Sequence, residues 1–277
     1  ETENELTVKA NKRTFIFSKK DGQLKGVSVD NRKINFANGP RFIGARRADR
    51  SLDQFYNHDD EKAKEKDRTY SEFPDAAVFT KLDVKQDGGD LIVTANYKLG
   101  NLDKAQWTIN PSGDLALDYT YNFSGVVDLM GIRFDYPEDQ VISKRWLGAG
   151  PYRVWQNRIH GTQYDVWEND YNDPIPGETF TYPEFKGYFG DVSWMNIQTK
   201  EGTISLTNET PDAYIGVYQP RDGRDRLLYT LPESGISVLN VIPPVRNKVN
   251  STDLCGPSSQ PKWVNGPQTG RVIFRFM

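Results

Sequence analysis

The rhythm of strand and turn signals constrains this chain more than any other feature. Short runs, apolar or alternating, recur about every ten residues, and each closes on residues that tolerate positive φ. Residues 14–18 lead through Asp21-Gly22 into 24–29. Residues 78–84 alternate with period 2, turn at Asp87-Gly-Gly-Asp90 and return over 91–97. Residues 105–109 turn at Asn110-Pro-Ser-Gly113 into 115–121, and 194–198 turn at Glu201-Gly202 into 203–206. The last run is 270–276. Strand after strand at this spacing predicts an all-β protein, a large two-sheet antiparallel sandwich or a barrel.

Helix is scarce. Residues 59–67 read as helical but have no apolar face, so a solvated turn or a loop is expected there. No fixed-period repeat and no Pro/Ser/Gly linker divides the sequence. The expectation is one domain over 1–277, with a charged insertion at about 57–70 and long ordered loops at about 160–190 and 243–270. A length of 277 residues suffices to bury a core without staples.

Composition narrows the function. Net charge is −3 with no basic stripe, which argues against nucleic acid as a partner. No run approaches 18 apolar residues, so no membrane-spanning helix is expected. No secretory leader is visible and the sequence opens on Glu1, which suggests a mature chain or an excised piece. The single cysteine, Cys255, leaves no intrachain disulfide or Cys-based zinc cluster; His58 and His160 are too few for a three-His metal site. No cofactor is expected, since no Gly-rich phosphate loop precedes a helix. The excess is aromatic, with 6 Trp, 14 Tyr and 14 Phe.

The aromatics concentrate in residues 144–173, which hold Trp146, Trp155 and Trp167, three Tyr, three Arg and four carboxylates. Sugars present apolar C–H faces and a rim of hydroxyls, so a sugar site wants flat rings interleaved with hydrogen-bonding side chains. Tyr152, Trp155, Arg158, His160, Trp167 and Glu168 are the candidate carbohydrate-binding residues, on a concave surface where the Gly148-x-Gly150-Pro151 turn ends a strand. Core packing explains the three Trp equally well. Asp165, Glu168, Asp170, Asp173, Glu178 and Glu184 offer carboxylates for hydrolysis, but loop spacing does not give the separation of roughly 5–9.5 Å that two catalytic carboxylates need. No catalytic residue is assigned. A calcium ion on 165–173 is a milder option. Arg41, Arg46 and Arg47 near Asp49 suit either an anion or a docked partner domain. Cys255 has no base nearby in sequence and reads as inert.

Four pieces resemble the C-terminal domain of family 2 glycoside hydrolases of the β-galactosidase type. The hairpin at 17–29 resembles that domain's opening. Gly39-Pro40-Arg41-Phe42 with Arg47-Ala48-Asp49 resembles its Arg-Ala segment. Met130-Gly131-Ile132-Arg133-Phe134 resembles its Gly-x-Arg-Phe strand. Trp146-Leu-Gly-Ala-Gly-Pro151-Tyr152 with Asn157-Arg158 resembles its Gly-x-Gly-Pro signature, departing from it at Trp155 and Gln156. The resemblance implies a galactose mutarotase-like super-sandwich. It implies a non-catalytic role beside a catalytic TIM barrel, which would be the partner, with carbohydrate as the ligand. The alternatives are a free-standing enzyme (a mutarotase-like epimerase or a lyase) and an independent carbohydrate-binding module.

Overall fold

The hairpins expected from the turn residues are present in a computed structural model of the protein, which describes residues 2–47, 70–171, 186–218, 231–244 and 256–277. Gly22, Gly88 and Gly113 take φ of 73°, 59° and 82°, where a side chain would be strained. The strands assemble into two antiparallel sheets. The first runs β1 (Glu5–Ala10), β2 (Arg13–Ser18), β3 (Leu24–Val29), β5 (Ala37–Arg47), β11 (Leu129–Asp135), β17 (Ile236–Val241), β16 (Tyr214–Val217). Two short strands, β4 (Arg32–Ile34) and β6 (Tyr70–Glu72), pair with β3 and β5. The second runs β13 (Gln163–Asp170), β12 (Val141–Gly150), β14 (Trp194–Thr199), β15 (Gly202–Asn208), β18 (Lys262–Phe276), β10 (Leu115–Val127), β9 (Leu102–Ile109), β8 (Asp90–Lys98), β7 (Val78–Asp87). Helical structure among the described residues amounts to two 3-10 turns, Glu138–Gln140 and Pro257–Ser259. The all-β two-sheet expectation is borne out.

The core lies between the sheets and is largely aromatic. Phe36, in the connection between β4 and β5, stacks on Phe134 of the first sheet at 4.8 Å and meets Phe274 of the second at 5.0 Å. Phe17 and Trp107, and Phe42 and Tyr121, cross the same interface at 6.0 and 5.4 Å. Side chains alternate along a strand, so Met130, Ile132 and Phe134 of β11 enter this core. Their neighbour Leu129 points the other way, with Ile43 and Ala45 of β5 and Leu239 of β17, into a second cluster on the outer face of the first sheet. That cluster is capped by Val154, Trp155 and Tyr188. Strands β5 and β11 are thus covered on both faces at one end, which explains the unbroken apolar stretches 42–45 and 129–132 there.

Two expected loops are strands. Residues 163–170, read as part of a loop over 160–190, pair with β12 along their whole length. This is an edge strand whose inner side carries Gln163, Asp165 and Asn169 beside Trp167 and whose outer side exposes Tyr164 and Val166 beside Glu168 and Asp170, so no apolar–polar alternation marks it. Residues 262–269, read as part of a loop over 243–270, are the first half of β18 and pair with 120–127. Asn265, Gly266 and Pro267 mimic a loop in sequence. Pro267 is tolerated because β15 pairs with β18 only from Val272 onward, which leaves that side of the ribbon open. The charged insertion, the helical-looking stretch, His58, Asp49, Asp173, Glu178, Glu184 and Cys255 lie outside the described residues.

Candidate functional site

The Gly148-x-Gly150-Pro151 turn ends β12 as expected, and the chain leaves the sheet there. Gly150 is required by close approach: a Cβ on it would lie 2.4 Å from Cδ1 of Trp167, whose ring covers the backbone at this corner. Trp167 pairs across the strands with Trp146, and its indole Nε1 donates to the Gln163 carbonyl at 3.2 Å. It is half-buried, with its inner side on the main core. Trp146 itself is fully buried and is core.

Beyond Pro151 the loop folds back on itself. The Tyr152 hydroxyl donates to the His160 carbonyl at 3.2 Å. Gly161 follows at φ 93°, where a Cβ would meet Tyr152 Oη at 2.6 Å. The His160 side chain is exposed. Tyr152, His160 and Trp167 therefore lie around one corner at the end of β12.

Trp155 does not join them. It is only 3 % exposed and meets Tyr188 edge-on at 5.7 Å, inside the outer-face cluster. Its ring has no face to offer a sugar, which corrects the expectation of a platform here. The reason is topological: the outer face of the first sheet presents Ile43, Ala45, Leu129 and Leu239, and this loop is what covers them. A two-way backbone bridge between Val154 and Tyr188 fixes the cover, with N···O distances of 2.8 and 2.7 Å. Arg158 closes a tight turn, its amide donating to the Trp155 carbonyl at 2.9 Å. Gln156 Nε2 donates to the carbonyls of Ser258 and Gln260 at 2.8 and 2.6 Å, tying the loop to the segment before β18. Glu168 is exposed, opposite Arg145 and on the other face of β13 from Trp167.

Buried charge surrounds this loop. Asp128 is fully buried; its amide donates to the Ala45 carbonyl, and its carboxylate accepts the Arg47 amide at 3.0 Å. Lys144, 1 % exposed, donates from Nζ to the Asp170 carbonyl at 3.1 Å and sits 5.1 Å from the centre of the Tyr171 ring. Arg153 is buried, 5.8 Å from the Phe189 ring. Burial pushes the Tyr188 phenol well above its ordinary range, so it stays protonated. Among the described residues, no group of three His, Cys, Asp or Glu could hold a metal ion.

Sequence reasoning missed a second feature, a cleft of about 790 Å³ on the same outer face. Arg41 and Arg133 both line it. Each stood in a motif that the sequence singled out, but only the register of β5 against β11 brings them face to face.

A family model described as beta galactosidase small chain matches residues 9–250. None of the curated proteins matches the chain. Among solved structures, galactose 1-epimerase from Lactobacillus acidophilus NCFM is similar with a TM-score of 0.54 at 9% identity, over 99% of this chain and 94% of that one. A putative aldose 1-epimerase from Escherichia coli K12 gives 0.44 at 11%, over 99% and 98%. The alpha-N-acetylgalactosaminidase NagBb from Bifidobacterium bifidum gives 0.45 at 11%, over 98% of this chain and 36% of that one. At 9% identity the first of these likenesses speaks for the fold alone. The family match spans most of the sequence: the chain belongs to the beta galactosidase small chain family, built as a galactose mutarotase-like β-sandwich.

Proposed function

We propose that the chain is a non-catalytic super-sandwich domain of a family 2 glycoside hydrolase of the β-galactosidase type. In this reading it packs on the catalytic barrel of its parent enzyme and contacts carbohydrate at the corner formed by Tyr152, His160 and Trp167. The family match supports the context. The observation that carries the contact is the Trp167 ring lying over Gly150, half-buried on one side, beside a loop that supplies a hydroxyl and an imidazole. A ring held in this way stacks on the C–H face of a sugar at a gain of about 1 kcal/mol, a quarter of the roughly 4 kcal/mol that millimolar binding needs, so hydrogen bonds to the sugar hydroxyls supply the rest of a weak affinity.

Calorimetric titration with lactose and short β-galactosides tests the proposal. Weak binding is expected, lost in Trp167→Ala while the circular dichroism spectrum is kept. Polarimetry of fresh α-galactose and hydrolysis of simple β-galactosides are both expected to run at the uncatalysed rate. Hydrolysis that disappears on Glu168→Gln or Asp170→Asn would overturn the non-catalytic reading, and accelerated mutarotation would favour an epimerase.

A further inference from the structure

The second cleft lies toward the far end of β5 and β11 from the Trp155 cover. Strand alternation puts Arg41 of β5 and Arg133 and Asp135 of β11 on the outer face, and the register sets Arg41 directly opposite Arg133. Two like charges in that position are unfavourable unless acceptors surround them. Asp135 supplies one, bonded to the Arg41 guanidinium. Arg133 donates to the Glu233 carbonyl and reaches the Glu72 carboxylate at 4.0 Å. The buried Nε of each arginine has no acceptor. Lys33, Glu138 and Glu233 complete the polar rim, and Tyr136 and Tyr218, both nearly buried, form an apolar floor.

These walls are held from behind. Asn38 donates to the second oxygen of Asp135 at 2.9 Å, and Lys25 donates to Asn38 at 3.2 Å. The Tyr136 hydroxyl donates to Glu201 at 2.9 Å, and the Tyr218 hydroxyl donates to the Pro137 carbonyl at 2.9 Å. Groups fixed in this way need little reordering when a ligand enters.

We propose that this cleft is a carbohydrate subsite for a neutral hexose, separate from the Trp167 corner. The volume falls within the roughly 300–1,000 Å³ of small-molecule sites. The balance of charge selects the ligand. An anion entering beside Arg41 and Arg133 meets Asp135, Glu138 and Glu233, and a cation meets Lys33 and both guanidinium groups. A sugar hydroxyl donates and accepts at once, so a row of them satisfies both signs without bringing charge. The cleft is built from other strands than the Trp167 corner and does not depend on Trp167.

The test is a ¹H–¹⁵N NMR titration of the chain with galactose and, separately, with inorganic phosphate. Galactose should shift the amides of Asn38 and Gly235 and the Nε–H signals of Arg41 and Arg133, saturating in the millimolar range; phosphate should not. Lys33→Ala combined with Glu233→Gln changes two solvent-facing residues and should weaken binding about tenfold or more, whereas Trp167→Ala should leave these shifts in place. Phosphate shifts without galactose shifts, galactose shifts confined to residues 150–168, no galactose shift at all, or binding unchanged in the double variant would each overturn the proposal.

Discussion

Replacing Trp155 by alanine separates a core role from a platform role. The ring is buried to 3 % exposure against Tyr188 at an interplanar angle of 85°. An aromatic side chain of this kind removes on the order of 200 Å² from water, about 5 kcal/mol at roughly 25 cal/mol/Å². The alanine that remains and partial collapse of the cavity bring the expected loss to about 3–5 kcal/mol. Unfolding entropy is about 2.1 cal/mol/K per residue. Over 277 residues that is about 0.58 kcal/mol/K, so a loss of about 4 kcal/mol lowers Tm by roughly 7 °C. Urea unfolding followed by circular dichroism, with calorimetry for Tm, reads both quantities. Trp263→Ala is the matched control: that ring is 71 % exposed, and its loss should stay within about 0.5 kcal/mol. A Trp155→Ala loss below about 1 kcal/mol at unchanged m-value would refute the covered-face argument, because the outer surface of the first sheet would then not need this loop.

Three further outcomes follow from single contacts. Gly150→Ala should displace the Trp167 indole, costing about 1–3 kcal/mol and shifting tryptophan fluorescence; an unchanged spectrum would contradict the close approach. Glu201→Ala leaves the Tyr136 hydroxyl and the Asn35 amide, now bonded to the carboxylate at 2.9 and 3.0 Å, without an acceptor, at about 1–3 kcal/mol in urea unfolding, and Glu201→Gln should recover part of the loss. Burial pushes the Asp21 carboxyl up, but bonds from Lys25 and the Gln23 amide outweigh it and hold the folded pKa below the ordinary 3.8. Asp21 therefore contributes stability that is fully present above pH 3.8 and lost as pH falls through the lower folded value. Wild type should lose more stability than Asp21→Asn between about pH 5 and pH 2, and parallel curves would exclude the effect.

The hairpins were legible because their turns are local: Asp21-Gly22, Asp87-Gly-Gly-Asp90 and Asn110-Pro-Ser-Gly113 announce themselves within a few residues. Strand β13 was not legible, since an edge strand with Asp165, Glu168 and Asp170 facing water carries the composition of a loop. The Gly148-x-Gly150-Pro151 corner was placed correctly from glycine and proline alone. The role of Trp155 was not, because nothing in its neighbourhood tells that Ile43 and Leu129, more than a hundred residues away for the first, need a cover. The Arg41–Arg133 cleft was invisible for the same reason: one register step would move either arginine to the opposite face.

Strand β18 has a consequence for how the molecule is made. It sits in the middle of the second sheet, pairing with β10 from Lys262 to Phe274 and with β15 from Val272 to Phe276, and it delivers Phe274 and Phe276 to the core. On a ribosome, every other strand of that sheet is synthesised before it. Until residues 262–276 emerge, β10 and β15 each present an open, hydrogen-bond-hungry edge above an unfilled aromatic core, the condition in which nascent chains associate with one another. Expression of this protein should therefore be sensitive to anything that delays or shortens the fifteen residues of β18, and far less so to changes in β1, which lies at the rim of the first sheet.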